Sequence, residues 1–576
     1  MKPLSDPMYT TSTAFLEALS ECGVSYLFAN FGSDHPPILE ALAESAGAGR
    51  KLPRVITCPS EMVALSAAHG YAQATGQGQA VLVHVECGTQ SLGGAVHNAS
   101  RARIPALIFA GLSPVTQEGE LRGSRTEFIH WLQDVHDQRG IVREYMKYDN
   151  EIRTGVNVKQ IVRRAMRIAH SEPCGPVYLV GSREAMEAEA PKQATRSRFG
   201  PTEESALPEP AVAQLARELL NARRPLVITS YLGRRVEAVA ELAALADAAG
   251  IGVLEAVPNC VNLPADHAMH QGYQGNEPRQ NPMLAKADLI LVLDCDVPWM
   301  PAVNRPAKDA RVWHIDVDPL KDRFELWDIG AERAFRASCA TALAQLNRYL
   351  KTIPADGERV AQRREHYSNA HDARIRELAR REETDGKNIT AEFVTARVRE
   401  HIARDAIVLN ESITNYSAVM NHIGARPART MFTSGGGSLG WNGGAAIGFK
   451  LARPEAEVAA ITGDGSYLFS QPSSAHWMAR RYATPFLQVV LNNGGWRAPK
   501  LSALTVHPDG NVSRAKDVGV AFTDPPDYSA IAAAAGGAFA RKVNRPEELD
   551  AALVAALGAV REEKRCAVLD VRLPDF

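Results

Sequence analysis

The sequence predicts an α/β protein made of three doubly wound parallel-sheet domains. Alanine-rich helical patterns alternate with short runs of valine, isoleucine and leucine, which is typical of parallel sheets covered by helices. The chain has 576 residues, more than one hydrophobic core usually serves, and at roughly 100 to 200 residues per domain this length indicates about three domains. The pattern also stops at a polar, proline-dotted stretch over 189–211 and then restarts, which marks a linker.

Strand-like runs define the predicted domains. The first domain is expected at 1–190, with strands in 24–32, 54–58, 79–88, 105–111 and 175–181. The second is expected at 200–350, with strands in 224–230, 251–257, 287–296 and 310–318. The third is expected at 385–576, with strands in 406–412, 457–465, 486–493 and 566–573. Residues 351–385 are predicted to form a charged helical connector with a solvated face.

Charge and cysteine usage argue against several classes of protein. The 64 basic and 66 acidic residues give a formal net charge of −2 and are spread through the chain, so neither nucleic acid nor an anionic membrane is indicated as a partner. The eight cysteines show no CxxC spacing, which indicates reduced thiols rather than a zinc site or a disulfide framework. Neither a signal peptide nor an apolar run of roughly 20 residues is apparent. We therefore expect a soluble cytoplasmic protein.

An acidic residue stands between two glycines where the predicted strand 457–465 ends. Asp464 lies between Gly463 and Gly465, and the following strand, 486–493, ends in Asn492 and Asn493. If these strands are parallel neighbours, their carboxyl ends meet at the sheet edge where α/β proteins place ligands. Carboxylate, amide and carbonyl oxygens suit Mg²⁺, and a helix start suits phosphate. A simple turn would explain the Gly-Asp-Gly alone, but not the pair of strand ends.

The stretch from Gly463 to Asn493 resembles the diphosphate-anchoring motif of thiamine-diphosphate-dependent enzymes, the family of acetolactate synthase, pyruvate oxidase and benzoylformate decarboxylase. The resemblance covers essentially the whole chain. It implies pyrimidine-binding, central and diphosphate-binding domains in that order, with thiamine diphosphate and Mg²⁺ as cofactors. It also implies metal ligands at Asp464, Asn493 and the Gly495 carbonyl, and cofactor contacts at Gly465, Ser466 and Trp496.

The stretch 58–76 supplies the expected catalytic glutamate. Glu61 precedes a helix of small residues, so close packing there would bury its carboxylate and raise its pKa. By resemblance, Glu61 bonds the N1′ atom of the aminopyrimidine and promotes the tautomer that deprotonates thiazolium C2. The alternative is a carboxylate favoured only by the helix dipole.

Two further stretches are expected to contact the cofactor. In the glycine-rich segment 432–448, the resemblance implies that Leu439 props the cofactor in a bent shape and that Gly437 offers its carbonyl to the 4′-amino group. A glycine-rich packing turn is the alternative. In 406–417, Ser412 and Thr414 are the expected phosphate contacts, and a helix capping box is the alternative.

Three other segments are expected near the reacting atoms. His84 and Gly88 are similar to the histidine loop of benzoylformate decarboxylase, which implies proton relay by His84 and a cofactor contact at Gly88, although strand histidines are usually structural. Gln133 is similar to a glutamine of acetolactate synthases that serves the partner subunit's cofactor, with an ordinary polar helix face as the alternative. Asp34 and His35 stand in a loop that touches substrate in relatives, and they depart there from the glycine-rich acetolactate synthase pattern.

The resemblance implies cleavage or formation of a C–C bond in a 2-oxo acid, as in a benzoylformate-decarboxylase-like decarboxylase or carboligase. An acetolactate-synthase-like transferase and a 2-hydroxyacyl-CoA lyase remain alternatives. A non-catalytic homologue would be expected to lack the activating glutamate, and Glu61 is present. The resemblance also implies a homodimer or homotetramer with sites at subunit interfaces. For the central domain, FAD, ADP or no ligand stays open, and we expect no flavin.

Overall fold

The computed structural model describes residues 9–47, 49–192, 194, 200–276, 279–424 and 426–575. Three six-stranded sheets of parallel strands follow one another along the chain and establish the α/β, three-domain fold. The predicted linker lies partly outside the described residues. Among the described residues, no helix combines the length and the apolar character needed to cross a bilayer.

The first domain has the strand order β2-β1-β3-β4-β6-β5. Its strands are β1 Tyr26–Ala29, β2 Arg54–Thr57, β3 Gln79–Val83, β4 Ala106–Leu112, β5 Tyr148–Ile152 and β6 Pro176–Ser182. Its helices are α1 Thr11–Glu21, α2 Pro36–Gly47, α3 Glu61–Thr75, α4 Val85–Ser91, α5 Gly94–Arg101, α6 Ile129–Leu132, α7 Val158–His170 and α8 Arg183–Glu187. The predicted strand 79–88 is too long, because α4 begins directly after His84.

The central domain has the order β12-β11-β10-β7-β8-β9, so the chain reverses direction across the sheet between β7 and β10. Its strands are β7 Pro225–Thr229, β8 Gly252–Ala256, β9 His270–Gln274, β10 Leu289–Leu293, β11 Arg311–Asp316 and β12 Arg333–Arg336. Its helices are α9 Glu209–Asn221, α10 Val236–Ala249, α11 Pro282–Lys286 and α12 Cys339–Leu350.

The predicted connector forms a single helix, α13, over Gly357–Arg381. One face of this helix is buried rather than solvated. The hydroxyl of Tyr367 donates to the carbonyl of Pro225, and the guanidinium of Arg363 donates to the carbonyls at the end of α9. The connector is therefore docked on the central domain, which its high charge does not indicate.

The third domain repeats the strand order of the first, as β14-β13-β15-β16-β18-β17. Its strands are β13 Ile407–Glu411, β14 Met431–Phe432, β15 Val458–Gly463, β16 Leu487–Asn492, β17 Phe539–Val543 and β18 Ala567–Arg572. Its helices are α14 Ala391–His401, α15 Tyr416–His422, α16 Asn442–Ala452, α17 Asp464–Phe469, α18 Pro472–Arg481, α19 Arg497–Val506, α20 Asn511–Arg514, α21 Tyr528–Gly536 and α22 Leu549–Arg561.

Helices α3 and α16 join the first domain to the third through glycine contacts. A Cβ at Gly70 would lie 2.3 Å from the carbonyl oxygen of Ala445, and one at Gly448 would lie 2.0 Å from that of Ala67. Because only glycine permits such close approach of two backbones, the small residues around 61–76 serve this contact. One hydrophobic core runs through both domains as a result.

Candidate active site

The end of β15 and the end of β16 meet at one edge of the third sheet. The strands pair in parallel with Gly463 opposite Leu491. Asp464 is buried, and its Oδ2 atom accepts the backbone N–H groups of Gly494 and Gly495, each at 2.9 Å. Its Oδ1 atom accepts the N–H of Gly465 at 2.8 Å. Burial raises the pKa of Asp464, and these three hydrogen bonds reduce the shift without cancelling it.

Two buried polar atoms beside Asp464 have no hydrogen-bond partner within the described chain. They are the Oδ1 atom of Asn493 and the Oγ atom of Ser466. Buried polar groups are nearly always paired, so an unpaired amide oxygen and an unpaired hydroxyl indicate a site for a ligand that satisfies them. A hard cation fits the first, and a phosphate oxygen fits the second. The residues present therefore fit a metal-bound diphosphate at this edge.

Gly437 is the exposed residue of the glycine-rich stretch 432–441, whose other residues are buried or partly buried. Gly437 has φ +81°, no atom of the described residues beyond its chain neighbours lies within 4 Å of the place where its Cβ would stand, and Leu439, two residues further on, is partly buried. Trp496 is 40% exposed, and its ring lies close to Gly465. A Cβ added at Gly465 would be 2.7 Å from Nε1 of Trp496. Gly437 and the ring of Trp496 therefore present exposed surface, whereas Leu439 is partly covered.

Glu411 holds this segment in place, a role that the sequence does not indicate. Its carboxylate is buried at the end of β13 and accepts the backbone N–H groups of Gly440, Trp441 and Asn442 at 2.8 to 3.0 Å. Burial raises the pKa of Glu411 to about 7, against the lowering effect of those three hydrogen bonds. The carboxylate thus caps the start of α16, directly after Leu439.

Ser412 and Thr414 lie next to this edge. The Oγ atom of Ser412 donates to Oδ1 of Asn410 at 2.6 Å, and its side chain makes no cap hydrogen bond to the helical turn that follows. The capping-box alternative is therefore wrong in this structure. Thr414 is partly exposed. Phosphate contact by either hydroxyl stays a prediction.

A second group of polar side chains lies in the first domain. Glu61 begins α3 and is partly buried, its Oε1 atom accepts an N–H of Asn30 at 2.9 Å, and burial raises its pKa. Gly88 packs against it, since a Cβ there would lie 3.3 Å from Oε1. Asn30 stands at the end of β1, and no sequence signal singled it out.

His84 is held between Asp34 and Gln133. Its Nδ1 atom lies 2.5 Å from Oδ1 of Asp34, and its Nε2 atom lies 2.9 Å from Oε1 of Gln133. Burial lowers the pKa of His84, but the hydrogen bond and charge of Asp34, with smaller contributions from Gln133 and Glu61, raise it overall. Gln133 directly follows α6, so it does not belong to a polar helix face.

Asp34 and His35 are both buried. Since Asp34 is engaged with His84 and the N–H of Val85, the structure favours a supporting role over the substrate contact expected from the sequence. The hydroxyl of Ser33, which no sequence pattern indicates, is buried without a hydrogen-bond partner in the described chain.

Residues 9–141 match the family model described as thiamine pyrophosphate enzyme, N-terminal TPP binding domain. Residues 212–324 match the central domain of such enzymes, and residues 412–571 match their C-terminal TPP binding domain. The chain belongs to the thiamine-pyrophosphate-dependent enzymes.

Several characterised proteins are similar to this thiamine-pyrophosphate enzyme along most of its length. Benzoylformate decarboxylase of Pseudomonas aeruginosa is 27% identical over 572 residues, covering 96% of this chain and 98% of its own. The acetolactate synthase large subunit of Lactococcus lactis is 26% identical over 502 residues, covering 84% and 80%. The 2-hydroxyacyl-CoA lyase 2 of Danio rerio is 26% identical over 566 residues, covering 90% and 84%. The solved structure of a 4-hydroxybenzoylformate decarboxylase of Rhodococcus jostii superposes with a TM-score of 0.77 at 21% identity, over 98% of this chain and 99% of its own.

Proposed function

We propose that this enzyme uses thiamine diphosphate and Mg²⁺ to break or form a C–C bond next to the carbonyl of a 2-oxo acid, as a benzoylformate-decarboxylase-like decarboxylase or carboligase. The observation that carries the proposal is the Asp34–His84–Gln133 array beside Glu61, which puts a proton-carrying imidazole next to the expected cofactor-activating carboxylate. The decarboxylase relative that spans 96% of the chain supports the same assignment.

Thiamine diphosphate, when bound, supplies a carbon nucleophile and an acceptor for the electron pair released when the C–C bond breaks. The chain's own residues have three tasks. Asp464, Asn493 and the Gly495 carbonyl would hold the metal, and Ser466 would hold a diphosphate oxygen. Glu61 would share a proton with a ring nitrogen, for which a carboxyl with a raised pKa is suited. His84 would move a proton at the reacting carbon.

We further propose that the two halves of the site come from different subunits. The side-chain hydrogen bonds of Glu61, His84 and Gln133 stay within the first domain, and those of Asp464 stay within the third. Exposed apolar side chains border both halves, as expected for surfaces that another copy covers. Around Gln133 they are Phe128 at 76% exposure and Leu132 at 75%, and around Asp464 they are Phe469 at 47% and Trp496 at 40%.

Mixing two inactive variants tests this arrangement. Glu61→Gln and Asn493→Ala each damage a different half of the site. In a randomly mixed dimer population, half of the dimers are hybrids, and each hybrid has one undamaged site, so about a quarter of the wild-type activity is expected. If each chain builds its own site, every site in the mixture carries one defect, and the mixture stays as inactive as the parent variants.

The reaction is tested by giving the purified enzyme, with thiamine diphosphate and Mg²⁺, pyruvate, benzoylformate or a 2-hydroxyacyl-CoA and identifying the products by mass spectrometry. The proposal predicts CO₂ and benzaldehyde from benzoylformate. Acetolactate from pyruvate alone would replace it with the synthase alternative, and cleavage of the CoA substrate alone would replace it with the lyase.

One observation favours the lyase as a second candidate. A cavity of about 400 Å³ lies where the three domains meet, and six arginines line it together with the carboxylates of Glu21 and Glu172. The excess of positive charge suits an anionic ligand such as a CoA phosphate. The arginines are Arg103, Arg163, Arg167, Arg234, Arg235 and Arg429.

Charged side chains fill the edge of the central sheet next to this cavity. This is the edge where the parallel strands have their carboxyl ends, and a nucleotide would be expected there between β7 and β10. The Nζ atom of Lys321 donates to Asp316 at 2.7 Å and to Asp296 at 2.6 Å. The guanidinium of Arg103 donates to the same two aspartates at 3.2 and 3.0 Å. An adenosine group would have to displace this buried network, which favours the decarboxylase over the lyase.

A further inference from the structure

The ring of His84 is held at both nitrogens by acceptor atoms. Asp34 offers a carboxylate to Nδ1, and Gln133 offers its amide oxygen to Nε2. The Nε2 atom of Gln133 points instead toward Sγ of Cys87 at 3.4 Å, which is consistent with this orientation of the amide. A carboxylate and an amide oxygen accept hydrogen bonds and cannot donate them, so both ring nitrogens must carry hydrogen. This arrangement describes an imidazolium ring.

The charge of Asp34 is directed to His84 rather than to His35. The Nδ1 atom of His35 also lies near Asp34, at 3.1 Å, but it accepts the backbone N–H of Gly32 at 3.0 Å and so has no proton to donate there. Burial lowers the pKa of His35, which keeps that ring neutral. The other titratable groups near His84 are Glu61, whose charge raises the pKa of His84, and Cys87 with its neighbour Glu86.

The chain is shaped to bring Asp34 and His84 together. A Cβ at Gly32 would lie 2.0 Å from Nδ1 of His84, and one at Gly111 would lie 2.1 Å from Oδ2 of Asp34. Val85 adopts φ +30°, which is strained for a β-branched residue, and its N–H donates to Oδ2 of Asp34 at 3.2 Å. Strain of this kind persists only where surrounding contacts require it.

We infer that Asp34 is a positioning residue that keeps His84 doubly protonated at neutral pH and directs its Nε2–H toward Gln133, so that His84 acts as a proton donor. The inference rests on the proposed function for the reaction that uses the proton. When the bond between the substrate carbonyl carbon and its carboxyl group breaks, CO₂ leaves and an electron pair remains on the substrate side. The N–H bond at Nε2 then breaks, its electron pair stays on nitrogen, and its proton joins the former carbonyl carbon, which holds the released pair. A solvent proton, the one that the net reaction consumes, restores the ring.

The test is an NMR titration of the protein with isotope-labelled histidine, in which the His84 signals are those lost in His84→Gln. We expect His84 in the wild type to titrate above about 6.5, the ordinary value for histidine, with hydrogen on both nitrogens at neutral pH. In Asp34→Asn the measured pKa of His84 should fall by about 1 unit or more, as expected when a charge at hydrogen-bond distance is removed. Asp137→Asn, an exposed aspartate paired with Arg143, should leave it unchanged.

The alkaline limb of the kcat profile should move to lower pH in Asp34→Asn and not in Asp137→Asn. A wild-type His84 that titrates at or below 6.5, or an unchanged titration in a folded Asp34→Asn, overturns the inference. Should Asp34→Asn fail to fold, the wild-type titration decides. A raised His84 titration together with no turnover of any 2-oxo acid would contradict the proposed function and leave the Asp34–His84 pairing intact.

Discussion

Replacing Glu411 with glutamine should change how stability depends on pH. Burial raises the pKa of Glu411 from about 4.5 to about 7, so the folded protein favours the protonated carboxyl. The stability gained by protonation is fully present below pH 4.5 and is lost as the pH rises through 7. At about 1.4 kcal/mol per pKa unit, ionisation of Glu411 costs the folded state about 3 kcal/mol above pH 7.

Glutamine cannot ionise, so it avoids this cost but loses a hydrogen bond. The Oε1 atom of Glu411 accepts two N–H groups and Oε2 accepts one, from Asn442. An amide oriented to keep the first two faces the third with its own NH₂ group, at a cost of about 1 to 3 kcal/mol at every pH. Glu411→Gln should therefore be less stable than wild type near pH 5. By pH 8 it should have gained about 3 kcal/mol relative to wild type.

Thermal unfolding of both proteins between pH 5 and 8.5 measures this difference. For a domain of this size, 3 kcal/mol corresponds to a relative shift in Tm of roughly 6 to 12 °C. Glu455→Gln, at an exposed position in the same domain, is the control and should follow wild type throughout. A difference between Glu411→Gln and wild type that stays constant with pH would refute the assignment of a buried, proton-binding carboxylate.

Three further changes have defined outcomes. Glu61→Gln should lower kcat by at least about 100-fold while leaving the circular dichroism spectrum unchanged, because a general acid–base group accelerates a reaction by about 10² to 10⁴-fold. Near-normal thiamine-dependent turnover would show that Glu61 is dispensable. Without ligands, the free energy of unfolding of Asn493→Ala should lie within about 0.5 kcal/mol of the wild-type value, because the Oδ1 atom of Asn493 has no partner in the described chain. The variant should nevertheless lose most of the Tm increase that thiamine diphosphate with Mg²⁺ produces. An unchanged increase would count against Asn493 as a metal ligand. Gly448→Ala should destabilise the protein by about 1 to 3 kcal/mol in denaturant unfolding, because its Cβ would strike the carbonyl of Ala67. Gly558→Ala lies in a helix where a Cβ would meet open space, so it should stabilise the protein by up to about 1 kcal/mol. Equal effects of the two substitutions would contradict the close α3–α16 contact.

Apolar runs located the buried strands and one edge strand, β2, but not the other five edge strands. The strands β5, β9, β12, β14 and β17 were not predicted from the sequence, and each lies at an edge of its sheet. An edge strand has one neighbour and an exposed side, so its sequence need not be continuously apolar. Arg333–Arg336, with alternating partly buried and exposed residues, shows why such a segment does not stand out.

The candidate site was predictable where its residues stand at the ends of strongly apolar strands. Asp464 and Asn493 could be placed together because each ends a strongly apolar strand, and parallel pairing of β15 with β16 brings them to one edge. The contact of Glu411 with the start of α16 spans 29 residues, and that of Asp34 with His84 spans 50. Such contacts depend on tertiary packing, so these pairings became visible only in the fold, although Asp34 and His84 were each indicated by the sequence.

The most direct test of the whole account is release of labelled CO₂ from benzoylformate carrying ¹³C in its carboxyl group, measured with and without thiamine diphosphate and Mg²⁺. We predict labelled CO₂ and an equal amount of benzaldehyde only when both cofactors are present, and loss of both products in Glu61→Gln. Absence of labelled CO₂ from the fully loaded enzyme, or release that persists without thiamine diphosphate, would contradict it.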